Sequence, residues 1–269
     1  HCAILVPEES PLPVIYREKF YEFFTYNDLH QGINTLDREH YQLVLILSDT
    51  AISLSPLFLE KIYNAYDAGI QAIQLHTVIE NRKGFCNRFR AICKEIKNSL
   101  FRAGNTQFGL SSNLSGTNIA IDLEWLQNNL RSSKTNIERK LFRKNVYIDY
   151  LPDAIVYCQS SPVHPYRRRL RKTASYFFPS LLEGNWNFCN RIVQHLIPSP
   201  LKMCIFVSVW TLLITGYNWA LSIGWWLILF GLLVTYSLAI PDYLVEDKKK
   251  KHSIWRKRHL SNELKKNPV

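Results

Sequence analysis

With 269 residues the chain is long enough for one large domain or two modest ones, and for a real hydrophobic core. It is 47% hydrophobic and 13% aromatic, with 33 Lys or Arg against 22 Asp or Glu, a net charge of +11; this excludes a disordered, collagen-like, low-complexity or disulfide-stapled miniprotein. The six cysteines (Cys2, Cys86, Cys93, Cys158, Cys189, Cys204) are scattered and form no C-x-x-C pair, so they read as reduced thiols facing a cytosolic environment.

The chain begins at His1 rather than Met and reads as a piece of a longer protein. Residues 1 to about 160 alternate short apolar runs with longer helical patterns, which predicts an α/β sheet domain. Ala3 to Val6 is a short strand, and Gln42 to Leu47 is a continuous apolar run of the kind buried on both sheet faces. That run ends in Ser48, Asp49 and Thr50, a polar loop where open α/β sheets bind ligands. Ser55 and Pro56 start a helix, with Ser as the cap, and Gly69 stops it. Ala72 to Val78 is the next strand.

Between Gly84 and Gly104 the residues Phe85, Phe89, Ile92, Ile96 and Leu100 recur at helical spacing among basic side chains, a basic amphipathic helix. Its stripe faces either the core or a membrane. A Gly/Ser/Asn-rich loop follows, then a strand Asn118 to Ile121, a helix from about Leu123, a charged helix Asn136 to Arg143 and a strand Val146 to Tyr150. Leu151 to Tyr157 closes the domain.

The 39 residues Met203 to Pro241 contain no Asp, Glu, Lys, Arg or His. A bilayer core takes about 20 apolar residues as helix, so two spans are expected, divided at Gly216 to Trp219. The first arm is of marginal length and the second, Leu221 to Ile240, of full length. The alternative is a hairpin buried in a soluble core. Arg167, Arg168, Arg169, Arg171, Lys172 and Lys202 precede the segment, and Lys248 to Lys251 and Arg256 to Arg258 follow it; this bias places both flanks in the cytoplasm. The last 28 residues hold nine Lys or Arg against four acids, a tail suited to anionic headgroups at about 1 kcal/mol per basic residue. Nucleic acid is not expected as a partner, because the basic residues sit beside the spans and no nucleic-acid motif accompanies them. The expected divisions are 1–160 for the sheet domain, 161–202 for basic connecting helices, 203–241 for the spans and 242–269 for a cytoplasmic tail.

Four segments together resemble the membrane-attached family 2 glycosyltransferases of bacteria, related to cellulose and hyaluronan synthases. LVLILSDTAISLSPLFLEKIYNAYDAGIQAIQ looks like the family's apolar strand, D-x-D loop and following helix. LSGTNIAI looks like its acceptor-side loop and strand. NVYIDYLPDAIVY looks like its closing strand, and YRRRL falls where the family has Q-x-x-R-W. The resemblance implies a GT-A-like mixed sheet flanked by helices, with a C-terminal transmembrane hairpin. It further implies transfer of a sugar from a nucleotide-diphospho-sugar to a glycan or lipid acceptor, with Mg²⁺ or Mn²⁺, at the cytoplasmic face of the inner membrane. Partners would be the lipid bilayer and other envelope-biosynthesis proteins.

The chemistry explains the residue types. Charge builds on the leaving diphosphate, so a divalent cation on carboxylates lowers the barrier, an acid takes the acceptor proton, and an Arg suits the phosphates. Here D-x-D is replaced by Ser48-Asp49-Thr50, leaving Asp49 as the metal-side carboxylate with reduced metal affinity expected. Counting back from PDA, the family's E-D pair falls on Ser133 and Lys134, so Glu138 is the nearest acid for the base, or else a solvated helix charge. Gly116 and Thr117 are the substrate-side loop residues. Arg169 either binds a phosphate or belongs to the basic cluster, while Tyr166 and Leu170 replace Gln and Trp. AILVPEES is expected to be the second strand, its first lying upstream, with Glu8 and Glu9 near the nucleotide. These departures leave a second reading open, a catalytically inactive homologue that serves as a binding or scaffold subunit.

Overall fold

The computed structural model describes residues 1–8, 10–15, 20–82, 84–130, 137–159, 175–196 and 200–241. They form two compact units: His1–Ala91 with Leu100–Pro198, and Ile92–Ser99 with Ser199–Val269.

The first unit is built on a seven-stranded mixed sheet. Its opening half contains β1 (Cys2–Pro7), β2 (Tyr21–Tyr26), α1 (Leu29–Asn34), β3 (Leu43–Ile46), β4 (Ala51–Leu54), α2 (Phe58–Asp67) and β5 (Ala72–Ile79). There follow in chain order α3 (Phe85–Lys97) and a π-helical turn (Asn98–Ala103), whose residues Ile92–Ser99 belong to the second unit, then α4 (Gly104–Gln107), β6 (Ile119–Asp122), α5 (Leu123–Asn129), α6 (Ile137–Arg143), β7 (Ile148–Cys158), α7 (Phe177–Leu182) and α8 (Trp186–Leu196). Strand order is β2-β1-β3-β6-β5-β7-β4. β1 runs parallel to both β2 and β3, β5 runs parallel to β7, and β6 is antiparallel to β3 and β5.

The continuous apolar runs are explained by burial on two faces. Along β1, Ala3 and Leu5 point to one side with Val44, Ile46, Ile119 and Ile121, against Ile33 of α1, Leu126 of α5, Phe142 of α6, and Phe188 and Ile192 of α8. Cys2, Ile4 and Val6 point to the other with Leu43, Leu45, Ile73 and Leu75, against Phe58, Leu59 and Ile62 of α2. Alternate side chains of a strand point to opposite faces, so a strand covered by helices on both sides is apolar along its length except where a polar side chain finds a buried hydrogen-bond partner.

Three expectations are corrected, and one strand is added that the sequence reading did not contain. AILVPEES is not a second strand awaiting its neighbour: β1 already has hydrogen-bonded strands on both sides, and β2 supplies the expected partner. The residues after Thr50 turn back as β4, pairing antiparallel with β7. Ser55 does not cap α2. Its backbone N–H donates to Ile155 O at 2.9 Å and its hydroxyl accepts from Ile155 N–H at 3.1 Å, so it continues the β4–β7 ladder, while Leu57 in the left-handed region (φ 55) opens the helix. The two expected segments, Val146–Tyr150 and Leu151–Tyr157, meet in one strand, β7, which begins at Ile148 and whose register with β5 shifts between Leu75 and His76, so PDA is accommodated as an irregularity rather than a break.

In the second unit, α9 (Pro200–Tyr217) and α10 (Trp219–Leu238) are joined at Asn218, an extended residue whose side chain accepts from the N–H groups of Ala220 and Leu221. Among the described residues α10 is the one helix long and apolar enough to cross a membrane; the apolar part of α9, Lys202–Tyr217, is shorter. Large apolar side chains such as Trp219, Leu227, Phe230 and Leu238 are exposed, so α10 is not enclosed in a globule. The hydroxyls of Thr211, Thr215 and Thr235 donate to carbonyls one turn back, at 2.7, 2.8 and 2.8 Å, which leaves these hydroxyls paired without water. Trp226 Nε1 donates to Thr215 Oγ1 across the hairpin at 3.2 Å.

Candidate active site

Parallel strands end at the same sheet edge, and this topology gathers the polar residues. β1 ends at Pro7, β2 at Tyr26, β3 just before Ser48, and β5 and β7 at Ile79 and Cys158, while antiparallel β6 begins beside them after Asn118. The Ser48–Thr50 loop is held from two sides. Ala51 N–H donates to Ser48 O at 3.2 Å, and Gln159 N–H donates to Thr50 O at 2.8 Å.

Ser48 is buried, Thr50 half-buried and Asp49 exposed. Ser48 N–H donates to Asn118 Oδ1 at 2.9 Å, and Ser48 Oγ lies 3.4 Å from both Thr50 Oγ1 and Cys158 Sγ. Asn118 Nδ2 donates to Thr77 Oγ1 at 3.0 Å and approaches Cys158 Sγ at 3.5 Å. Across from the loop, burial first and the nearby negative charge of Asp49 second push the Tyr26 phenol up to about 12. Tyr26 and Asp49 therefore share one electrostatic environment at the ends of β2 and β3.

Gly116 and Thr117 sit in the loop that enters this edge. Gly116 has φ +83, open to glycine without strain, and the buried Thr117 Oγ1 has no hydrogen-bond partner among the described residues. Gln74, fully buried on β5, holds the loop with its side-chain amide. Its Oε1 accepts from Ser115 N–H at 2.6 Å and from Ser115 Oγ at 3.1 Å, while its Nε2 donates to Asn118 O at 3.1 Å.

Glu138 is not a solvated helix charge. Its side chain is 12% exposed, and Oε1 accepts from Arg191 Nη2 at 2.6 Å and from Leu114 N–H at 3.2 Å. Burial pushes its carboxyl up, and the Arg191 guanidinium opposes that shift. The structure thus ties the Ser48–Thr50 loop to Asn118 through Ser48, and sets Glu138 against Leu114, which stands two residues before Gly116. Arg169, Tyr166, Leu170, Ser133, Lys134 and Glu9 lie outside the described residues.

A divalent cation fits this loop in one way. Mg²⁺ keeps several waters and takes one or two carboxylates plus substrate phosphates. One carboxylate at Asp49 with the neighbouring Thr50 hydroxyl suits a cation that arrives on a diphosphate. Among the described residues no group of three His, Cys, Asp or Glu side chains forms a resident site.

Asn118, Tyr26, Gln74 and Arg191 escape sequence reasoning. Only Asn118 carries a signal, the S-G-T-N turn composition, which reads instead as the start of a strand; the other three are polar positions inside apolar patterns.

The sheet and its polar carboxyl edge define an α/β domain of the class that binds ligands across strand ends. The sequence model of glycosyl transferase family group 2 matches residues 43–238, from β3 to the end of α10. The chain belongs to that family, and its helix-flanked mixed sheet is the GT-A-like architecture of family 2. No curated protein matches the chain. Among solved structures it is similar to the mannosyltransferase PcManGT from Pyrobaculum calidifontis, solved with GDP-Man and Mn²⁺. Identity is 13%, covering 88% of this chain and 86% of that one, with a TM-score of 0.40.

Proposed function

We propose that the chain is a membrane-attached glycosyltransferase that moves a sugar from a nucleotide-diphospho-sugar to a glycan or lipid acceptor at the cytoplasmic face of a membrane. The observation that carries this reading is the Ser48–Thr50 loop, with its exposed Asp49, at the strand-end edge of a family 2 domain. Mg²⁺ or Mn²⁺, entering on the diphosphate, offsets the charge that builds on the leaving group. Asp49 binds that end of the donor, and the Gly116–Thr117 loop borders the sugar. Arg169, in the basic run before the hairpin, is assigned to the phosphates. Glu138 acts on the loop through Leu114 rather than on an acceptor proton, since its Oε1 already accepts from Arg191 and a backbone N–H. The divisions 1–160, 161–202, 203–241 and 242–269 are proposed as catalytic domain, connecting helices, spans and tail.

The single carboxylate favours a second reading, a donor-binding subunit without turnover. One experiment decides between them. The full chain in detergent micelles is given UDP-glucose and GDP-mannose with Mn²⁺ or EDTA, and nucleotide binding and release are measured for the wild type and Asp49→Asn. Metal-dependent release that falls about 100-fold in the variant supports the enzyme; the loss corresponds to about 2.7 kcal/mol. Binding without release supports the subunit, and neither binding nor release overturns both.

A further inference from the structure

We propose that Asn118 is the positioning residue of the donor site, fixing the height and direction of the loop that presents Asp49. The inference rests on the donor-site reading of that loop and names the side chain that would hold it in place.

Three observations carry it. First, Asn118 is fully buried, yet its side-chain amide is spent on three different segments: Ser48 at the end of β3, Thr77 near the end of β5 and Cys158 at the end of β7. A backbone N–H can only donate, so the side-chain atom facing Ser48 is the oxygen, and the nitrogen is left for Thr77 and Cys158. Second, β6 is antiparallel to both its neighbours, so the residue before its first lies where the carboxyl end of β3 meets the middle of β5 at Leu75, within side-chain reach of Thr77. Third, Asn118 adopts φ 56, a left-handed conformation that Asn tolerates better than β-branched or bulky residues. Its own carbonyl accepts from Leu75 N–H at 3.1 Å and from Gln74 Nε2 at 3.1 Å. Main chain and side chain of one residue therefore tie the Gly116–Thr117 loop to the Ser48–Thr50 loop.

The consequence is chemical. A loop with one carboxylate has less tolerance for misplacement than one with two, because no second acid compensates when the first swings away. The groups that orient metal-side ligands matter nearly as much as the ligands, and losing one costs about 10–100-fold in metal affinity. Asn118 touches neither the donor nor the cation; it acts through Ser48.

The test uses the full chain in detergent micelles. Asn118→Gly keeps the left-handed backbone and removes the amide; Thr77→Val removes the acceptor that orients the amide, and Thr77→Ser restores it. Hydrogen exchange of a peptide spanning Ser48–Thr50 and binding of UDP and GDP, with Mn²⁺ and with EDTA, are measured for each. Asn118→Gly and Thr77→Val are expected to speed exchange at Ser48 at least 10-fold. They should also weaken Mn²⁺-supported binding about 10–100-fold while leaving EDTA binding unchanged, with Thr77→Ser close to wild type. Equal weakening with and without Mn²⁺, or no weakening in variants whose loop exchanges faster, overturns the proposal. A wild type that binds neither diphosphate overturns the donor-site reading instead, and the exchange measurement then still decides whether Asn118 holds the loop.

Discussion

Tyr26 and Asp49 stand 23 positions apart in the chain, and the parallel pairing of β2 and β1, then β1 and β3, brings their strand ends to one edge. The phenol of Tyr26 is raised from 10.0 to about 12, by burial and then by Asp49. A phenol whose folded pKa lies above its unfolded value stabilises the fold below pH 10 and loses that contribution as pH climbs through 12. Alkaline absorbance titration, with Tyr26→Phe to assign the band, is expected to show the Tyr26 midpoint falling in Asp49→Asn. An unchanged midpoint would mean that the carboxylate points away from β2. Asp49 was legible because an apolar run ending in a polar triplet marks a strand end. Tyr26 was not, because an aromatic in a strand pattern reads equally well as core.

The pairing of α6 with α8 through Glu138 and Arg191 shows how helices far apart in sequence hold a loop belonging to neither. The side chains are 12% and 13% exposed, so each ion depends on the other. Removing one partner of such a pair costs about 3–5 kcal/mol, whereas replacing both by apolar groups is often close to neutral. Glu138→Gln is therefore expected to lower unfolding free energy by about 3 kcal/mol, and the double variant Glu138→Gln/Arg191→Met to recover most of it, as read from urea unfolding. An additive double variant would sink the coupling. From sequence, Glu138 was an acid on a charged helix; that it faces inward toward α8 follows from packing, which periodicity over seven residues is too short to determine.

Across the whole chain, the uncharged stretch 203–241 predicts a hairpin, and the described helices break at Asn218, within the expected Gly216–Trp219 turn. α10 is of spanning length, its large side chains are exposed, and the hydroxyls of α9 and α10 noted above are paired internally. The proposed attachment predicts that the chain stays with vesicles through an alkaline carbonate wash, and that deleting 203–241 abolishes this retention. Recovery of the intact chain in the carbonate supernatant would overturn the membrane reading. The flanking clusters at 167–172 and 248–258, which carry the expected orientation, lie outside the described residues.

Composition and local pattern were enough to determine that strands alternate with helices, that Ser48–Thr50 ends a buried strand and that the C-terminal segment is apolar helix, because each is a property of neighbours along the chain. Strand order, the closed place of β1 between β2 and β3, the turn into β4, and the meeting of Asn118 with Ser48, Thr77 and Cys158 were decided only in three dimensions. Those contacts join residues 19 to 107 positions apart, from Cys2 with Tyr21 to Ala51 with Cys158, and the hydrogen bonds that select them exist only once the sheet has assembled.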